Sequence, residues 1–122
     1  MDKRPKTLFI DIDGTLFFHT GIRTDVAKPN SIPKLLDGVL DKFNEWDKLG
    51  YTIILVTGRR EGDREITVKQ LQHHGIPYDQ LIMGITGGER ILINDTKPDA
   101  RSVATATAIT VVRNEGISKI NV

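Results

Sequence analysis

Two aspartates lie two residues apart, because Asp11 and Asp13 enclose Ile12 directly after a short apolar run. Residues i and i+2 of a strand point to the same side, with Cα atoms roughly 6.5 Å apart. Gly14 follows them, and glycine lets the backbone turn sharply and approach a ligand closely. Because Asp-Gly is also a common turn dipeptide, the pair alone predicts either a carboxylate site or a simple turn.

Polar residues also follow two later apolar segments, where Thr57 and Gly58 end one segment and Asp95 ends another. Open parallel sheets place their ligand sites at the carboxyl ends of the strands. The hydroxyl of Thr57 and the backbone N–H groups near Gly58 can bind phosphate oxygens. The carboxylates of Asp11, Asp13 and Asp95 would repel one another, and Mg²⁺, which prefers oxygen ligands, would relieve that repulsion.

The elements that must position these residues alternate between strand-like and helix-like patterns. The sequence predicts strands over 7–12, 51–56, 90–93 and 108–112, helices over 31–49 and 61–74, a loop over 17–30, and a helix or turn over 99–106. Residues 81–83 are too close to the next strand for a parallel crossover, so we expect an edge piece, an antiparallel strand or no strand. This order predicts an α/β fold with a mostly parallel sheet covered on both faces.

Length and composition limit the protein class. The 122 residues suit one domain over 1–122, and the net charge of +1 demands neither nucleic acid nor membrane as a partner. There is no cysteine, which excludes disulfides, thiolate metal sites and a cysteine nucleophile. No apolar run is long enough for a membrane span or a signal peptide, and a cytoplasmic enzyme fits these observations.

These segments resemble the signatures of the haloacid dehalogenase (HAD) superfamily. The run from Asp11 to Thr15, Asp-Ile-Asp-Gly-Thr, resembles the first signature, and Thr57 after an apolar strand resembles the second. Asn94-Asp95, with Asp99 four positions later, resembles the fourth. The resemblance covers residues 7–112 and implies a single three-layer, Rossmann-like domain, and Thr15 is typical of its phosphatase branch.

The resemblance also implies a reaction and a cofactor. Asp11 would be the nucleophile that forms an aspartyl-phosphate, while Asp13 would protonate the leaving oxygen and later activate water. Mg²⁺ would be held by Asp11, by the main-chain carbonyl of Asp13 and by Asp95. A covalent intermediate divides one difficult displacement into two easier steps, and general acid catalysis contributes on the order of 10²–10⁴-fold.

The superfamily normally supplies a lysine or arginine upstream of the fourth-signature strand, and this chain has no lysine there. Lys97, on the loop after Asp95, is the residue that we predict to bind phosphate in its place, with Arg59 or Arg60 as alternatives. Arg90 opens its predicted strand, which would place it about 13 Å from Asp95. The three histidines are expected to lie on the surface rather than to bind metal.

The substrate is less constrained than the reaction. Residues 16–32 and 59–94 are too short for a folded cap domain, so the chain resembles the capless branch, and a second copy of the chain could close the site. Phe17-Phe18 predicts either an apolar wall beside the site or core packing. A small sugar phosphate is favoured over the 3′-phosphate of a polynucleotide. The reason is that the net charge is only +1 and the sequence has no obvious stripe of basic residues that would bind nucleic acid.

Two other classes of protein stay open. A receiver-type phosphoacceptor domain is also a small α/β domain with acidic residues around Mg²⁺, but it carries its phosphorylated aspartate on a later strand. A degenerate HAD-like binding protein would have lost turnover together with the lysine. Steady hydrolysis of a phosphomonoester would separate the enzyme from both alternatives.

Overall fold

The computed structural model describes residues 4–22, 28, 30–96 and 104–122. In chain order its elements are strand β1 (Thr7–Asp11), helix α1 (Val39–Lys48), strand β2 (Thr52–Val56), a 3₁₀ turn (Glu61–Asp63), helix α2 (Arg64–His73) and strand β3 (Gln80–Ile82). Lys97 and Asp99, most of the predicted helix or turn at 99–106 and part of the predicted loop at 17–30 lie outside the described residues.

The three strands form one parallel sheet in the order β1-β2-β3. In β1 and β2, Thr7 lies opposite Thr52 and Asp11 lies opposite Val56. Because the strands are parallel, the residues after Asp11 and those after Val56 emerge at the same edge of the sheet. The predicted α/β, Rossmann-like class is confirmed, and the sheet brings two of the sequence signatures to one edge.

The core is built on the central strand β2 and on one face of each helix. Its fully buried members from these elements are Ile53, Leu55, Val39, Phe43, Trp46 and Leu71. The three residues of α1 are spaced by four and three positions, as an amphipathic helix requires. Trp46 is therefore a core residue, as the sequence pattern predicts.

The first helix starts at Val39, several residues later than the sequence pattern predicts. Leu35 forms an antiparallel bridge with Phe17, which holds the preceding segment extended. Gly38 then adopts a left-handed conformation with φ 78° and passes so close to the backbone of Ser118 that a Cβ atom would collide with it. These long-range contacts override the helical pattern of the residues before Val39.

The second helix agrees with its prediction. The 3₁₀ turn leads directly into α2, which ends at His73 before Gly75, where φ is 67°. Glycine adopts this conformation without the steric cost that a side chain would impose, which ends the helix. Each α-helix has ten residues, and within the described ranges none is long and apolar enough to cross a bilayer.

The predicted strands at 90–93 and 108–112 are absent from the described part of the chain, so this prediction was wrong. An apolar run predicts a buried strand only if a partner covers it. Here Ile93 is 90% exposed, and the side chain of Asn94 donates a hydrogen bond of 2.7 Å to the hydroxyl of Thr105. The segment is therefore bonded to its own downstream chain rather than to the sheet.

Residues 81–83 largely coincide with β3, which forms an edge of the sheet but runs parallel to β2. The expectation of an edge piece is confirmed, and the expectation of an antiparallel direction was wrong. The reason is that helix α2 supplies the crossover before β3. The short connection after β3 does not lead into another strand among the described residues.

Candidate active site

The turn after β1 presents Asp11 and Asp13 at the edge of the sheet. Ile12, between them, is fully buried, and its carbonyl accepts hydrogen bonds from the N–H groups of Leu16 and Phe17 at 2.8 and 3.1 Å. Gly14 has φ 88°, a conformation that favours glycine. The buried anchor and the tight turn hold the two carboxylates at the carboxyl end of β1.

Asp11 lies between a hydroxyl donor and a cation. The hydroxyl of Thr15 donates to Oδ2 at 3.2 Å, and the guanidinium of Arg90 lies 3.8 Å from Oδ1. Burial raises the pKa of Asp11, and the nearby charge of Asp13 raises it further. The charge of Arg90 and the hydrogen bond from Thr15 partly offset this increase. Asp11 is therefore a partly desolvated carboxylate beside a charged partner, which makes it a candidate functional residue.

Asp13 is held by a buried arginine. Nε and Nη2 of Arg59 donate to its two carboxylate oxygens at 2.9 and 2.8 Å, and the Arg59 side chain is only 1% exposed. Nη1 donates to Thr67 at 3.0 Å and to Gln70 at 2.6 Å. These two residues are three apart on α2 and so share one face of the helix. Arg59 therefore fixes the orientation of Asp13 from the interior.

The sequence predicts Arg59 only as an alternative phosphate-binding cation. The structure assigns it a different position, because its four side-chain hydrogen bonds end on Asp13, Thr67 and Gln70. The available signal was the run Thr57-Gly58-Arg59 at the end of a buried strand. An arginine at that point is either at the surface or paired in the interior.

Thr57 and Gly58 lie at the same edge, directly after β2. Thr57 is almost fully buried, and its hydroxyl accepts a hydrogen bond of 3.1 Å from the backbone N–H of Arg59. The backbone of Thr57 is bonded on both sides, to Ile82 and to Ile85. A Cβ at Gly58 would lie 3.0 Å from the carbonyl oxygen of Ile85, so this junction is tightly packed.

The third predicted metal ligand is not brought to the aspartate pair. Asp95 is exposed, and its carbonyl accepts a hydrogen bond of 2.9 Å from Thr105. Within the described ranges, no group of three or more acidic or histidine side chains is placed to hold a cation. The predicted set of Asp11, Asp13 and Asp95 is therefore not assembled, and Lys97 lies outside the described residues.

The cation that reaches Asp11 is Arg90, which the sequence pattern places away from the site. Arg90 was placed far from the site because its strand was expected to run in extended form toward Asp95. The structure has no strand there, and the guanidinium lies 3.8 Å from Asp11. The distance argument failed together with the strand on which it depended.

The C-terminal segment also contributes to the site, although its sequence offered no signal. The backbone N–H of Asn114 donates to the carbonyl of Gly14 at 2.8 Å. Its side-chain amide makes two further bonds of 2.8 Å with the main chain of His19. Asn114 therefore joins both ends of the loop that follows the aspartate pair, and the side chain of Arg113 lies against Gly14.

A parallel α/β sheet with an Asp-x-Asp pair after β1 and a threonine after β2 defines a protein of the HAD class. Residues 1–116 match the acid phosphatase family, subfamily IIIB of the HAD superfamily, and the chain belongs to this family. This confirms the resemblance of the sequence motifs to the HAD superfamily, and the family that matches is one of phosphoric monoester hydrolases.

Solved structures agree with this assignment. A chain in the Pnkp1/Rnl/Hen1 RNA repair complex is 32% identical with a TM-score of 0.58, and the match covers 70% of this chain and 28% of that one. A protein from Vibrio cholerae shares the fold, with 24% identity and a TM-score of 0.51, over 74% of this chain and 80% of that one.

Curated relatives are matched only in part. Human membrane-associated phosphatidylinositol transfer protein 2 is 31% identical over 78 residues, which are 64% of this chain and 5% of that protein. The mouse protein of the same name is 38% identical over 53 residues, which are 43% of this chain and 4% of that protein. The chain thus spans about one twentieth of the length of these relatives.

Proposed function

We propose that this chain hydrolyses small phosphomonoesters through an aspartyl-phosphate on Asp11, with Asp13 as general acid and base. One observation carries the proposal: both carboxylates lie at the carboxyl end of β1, but they have different partners. Asp11 meets Thr15 and the partly exposed Arg90, whereas Asp13 is held from the interior by Arg59. Two carboxylates in different environments are suited to different roles.

The reaction that follows from these roles is a double displacement. An oxygen of Asp11 attacks phosphorus, the bond to the leaving oxygen breaks, and Asp13 gives that oxygen its proton. Asp13 then takes a proton from water, whose oxygen attacks the phosphorus of the aspartyl-phosphate. Inorganic phosphate leaves and Asp11 is restored.

The donor set at Asp11 suits Mg²⁺. Mg²⁺ usually binds through one or two carboxylates, with water and substrate phosphate as its other ligands. Asp11 is half-exposed and carries a carboxylate whose pKa is raised by burial, so a bound cation would stabilise its ionised form. We propose Asp11 and Asp13 as protein ligands of a Mg²⁺ that screens the repulsion between the nucleophile and the phosphate, and Asp95 could join them only by moving from the exposed position that it has in the structure.

Phosphate oxygens need donors besides the cation. We propose Thr57 and Gly58 at the end of β2 for this role, together with Lys97 on the loop after Asp95. We also propose Arg90 as a cation that binds phosphate, because its guanidinium lies 3.8 Å from a carboxylate oxygen of Asp11. A phosphate attacked by Asp11 would come within reach of this guanidinium.

Two substrate classes are supported by different observations. The low net charge favours a sugar phosphate. The similarity to a chain of an RNA repair complex favours a polynucleotide phosphate instead. Both are phosphomonoesters, so the same catalytic test applies to them.

The decisive experiment measures phosphate release from glycerol phosphate with and without Mg²⁺. We expect Mg²⁺-dependent turnover in the wild-type protein and none in Asp11→Asn. With an aryl phosphate, whose leaving oxygen departs without a proton, Asp13→Asn should accumulate a phosphoryl group on the protein, which mass spectrometry of quenched samples detects. Stoichiometric phosphorylation of the wild type without turnover would indicate a phosphoacceptor domain, and the absence of both would indicate a binding protein.

A further inference from the structure

Two polar side chains of helix α2 are fully buried behind the aspartate pair. Thr67 and Gln70 are both 0% exposed, so neither can touch a substrate. Burying a hydroxyl or an amide destabilises a fold unless the group is hydrogen-bonded. Both side chains accept a hydrogen bond from the same atom, Nη1 of Arg59, at 3.0 and 2.6 Å. Their burial is therefore tied to the guanidinium that holds Asp13.

The guanidinium of Arg59 could bind a carboxylate in two ways. It can present Nε with one terminal nitrogen, or it can present its two terminal nitrogens. Here Asp13 is bound through Nε and Nη2 at 2.9 and 2.8 Å. Nη1 carries two hydrogens, enough for one bond each to Thr67 and Gln70. The acceptors on α2 therefore select one of the two ways, and with it the orientation of the Asp13 carboxylate.

The amide of Gln70 is itself held in one orientation. Its nitrogen donates to the carbonyl oxygen of Ser31 at 3.2 Å and to the Ser31 hydroxyl at 3.4 Å. A rotation of the amide by half a turn would place its oxygen against that carbonyl and its nitrogen against the N–H of Arg59. Ser31 therefore keeps the amide oxygen directed at the guanidinium.

Thr67 and Phe17 restrict the guanidinium on its other sides. The hydroxyl of Thr67 donates to the carbonyl of Asp63 at 2.8 Å, which directs its oxygen lone pairs to Arg59. The guanidinium carbon of Arg59 lies 5.9 Å from the centre of the Phe17 ring, a favourable cation–π contact. The sequence pattern allows core packing or an exposed wall for the Phe17-Phe18 pair. Phe17 is fully buried, whereas Phe18 is 45% exposed.

We propose that Thr67 and Gln70 are positioning residues for the general acid. They hold the guanidinium of Arg59, which in turn orients Asp13 toward the oxygen that leaves phosphorus. This inference rests on the proposed function and extends it to a helix face that does not contact the substrate. Because proton transfer depends steeply on geometry, a displaced Asp13 should lose acid catalysis while the substrate still binds.

The leaving group of the substrate distinguishes a positioning role from a purely structural one. The alkoxide of glycerol phosphate is a poor leaving group that needs a proton, whereas the phenolate of an aryl phosphate departs without one. For both substrates kcat/KM reports the steps up to the departure of the leaving group. A substitution that misaligns Asp13 should therefore lower kcat/KM for glycerol phosphate and leave that for the aryl phosphate unchanged.

The variants Thr67→Val and Gln70→Met remove the acceptors but keep side chains of similar size. In each we expect the ratio of kcat/KM for glycerol phosphate to that for the aryl phosphate to fall by about tenfold or more. This is part of the roughly 10²–10⁴-fold that general acid catalysis contributes. Thr67→Ser retains the hydroxyl and should restore most of the ratio. The matched control is Gln72→Met, at an exposed position of the same helix, where the ratio should not change.

The second step of the proposed reaction provides an independent measurement. Asp13 must also take a proton from water, so the release of phosphate from Asp11 should slow in both variants. With the aryl phosphate, kcat and KM should then fall together, and a burst of phenol should precede the steady state. In an Arg59→Met background, adding Gln70→Met should leave the substrate ratio unchanged, because Gln70 acts through Arg59.

Equal losses of kcat/KM for the two substrates would overturn the inference, because a structural defect lowers the amount of active enzyme for every substrate alike. A change in Gln72→Met as large as that in Gln70→Met would also overturn it. If the wild type hydrolyses neither substrate, the proposed function fails separately. Hydrogen exchange at Nε of Arg59, followed by NMR, then tests the contacts alone. Exchange should be faster in Thr67→Val and Gln70→Met than in the wild type, and equal exchange would show that α2 does not hold the guanidinium.

Discussion

Replacing Arg59 by methionine tests the buried pair on which the orientation of Asp13 depends. Methionine keeps an apolar stem of similar length but removes all donors. The carboxylate of Asp13 loses two hydrogen bonds, and Gln70 and Thr67 each lose one. The substitution therefore removes the buried donors that the charge of Asp13 and the amide oxygen of Gln70 share.

The size of the effect follows from burial. Removing one partner of a buried ion pair costs about 3–5 kcal/mol, because the other charge stays desolvated. The Arg59 side chain is 1% exposed, but that of Asp13 is 14% exposed and can recover some hydration. We therefore expect the free energy of unfolding to fall by about 3 kcal/mol, at the lower end of this range. This is a large share of a typical domain stability of about 5–15 kcal/mol.

Urea unfolding in EDTA, followed by the fluorescence of Trp46, measures this change without interference from metal. Trp46 is the single tryptophan of the chain and is 2% exposed, so its emission reports loss of the core. The double variant Arg59→Met, Asp13→Asn should lose about 2 kcal/mol less of its free energy of unfolding than the sum of the losses in the two single variants. The reason is that the effects of substitutions in one hydrogen-bond network are not additive.

Lys69→Met provides the matched control, because the ion pair of Lys69 with Glu65 is exposed at both ends and contributes little. The reasoning would be refuted by a loss below about 1 kcal/mol in Arg59→Met, the size of an ordinary substitution. Strict additivity of the double variant would refute it as well.

Three further predictions concern the other side chains of the site. Asp11→Asn should raise the melting temperature at neutral pH, because burial raises the pKa of Asp11 and its ionised form therefore costs stability. The gain should vanish when the pH is below 3.8, the ordinary pKa of an aspartate, because the carboxyl is then protonated in both the folded and the unfolded state. A variant that melts at a lower temperature than the wild type at neutral pH would contradict this. Arg90→Met should move the acid limb of the kcat/KM pH profile to higher pH, since Arg90 lowers the pKa of Asp11, and an unmoved limb would show that this ion pair is absent in solution. Asn114→Gly keeps the left-handed backbone (φ 66°) but loses two hydrogen bonds to His19, so the free energy of unfolding should fall by about 1–3 kcal/mol. The control Asn121→Gly, at an exposed site, should show no comparable loss.

The aspartate pair could be predicted because it depends on local rules. The spacing of Asp11 and Asp13 and the glycine after them describe a strand end, and Thr57 ends the other strand in the same way. The pairing of Asp13 with Arg59 joins residues 46 positions apart and depends on the register in which Asp11 lies opposite Val56. Apolar runs do not specify register between distant strands, so this contact was not readable from the sequence.

The errors share a physical cause, which is that an apolar pattern identifies a candidate element without identifying its partner. Ile91–Ile93 has the composition of a buried strand, but these residues are exposed in the structure. Leu35 continues the helical pattern of α1, but it pairs with Phe17 instead. Arg90 was misplaced because its position was derived from the missing strand. In each case a tertiary contact decided between conformations that the local sequence allowed equally.

The position of Gln70 connects Asp13 to the segment that precedes α1. Its amide oxygen accepts a hydrogen bond from Arg59, and its amide nitrogen donates to the main-chain carbonyl of Ser31. A continuous series of hydrogen bonds therefore runs from Ser31 through Gln70 and Arg59 to Asp13. Gln70 and Arg59 are buried, and a packed interior transmits a displacement rather than absorbing it.

A substrate that displaces Ser31 on binding would shift Gln70, and through it the guanidinium that orients Asp13. In the proposed reaction Asp13 protonates the leaving oxygen, so binding and proton transfer would then fail together. Discrimination among such substrates should therefore be found in kcat as well as in KM. Discrimination in KM alone would mean that the segment before α1 and the acid act independently, despite the hydrogen bonds that join them.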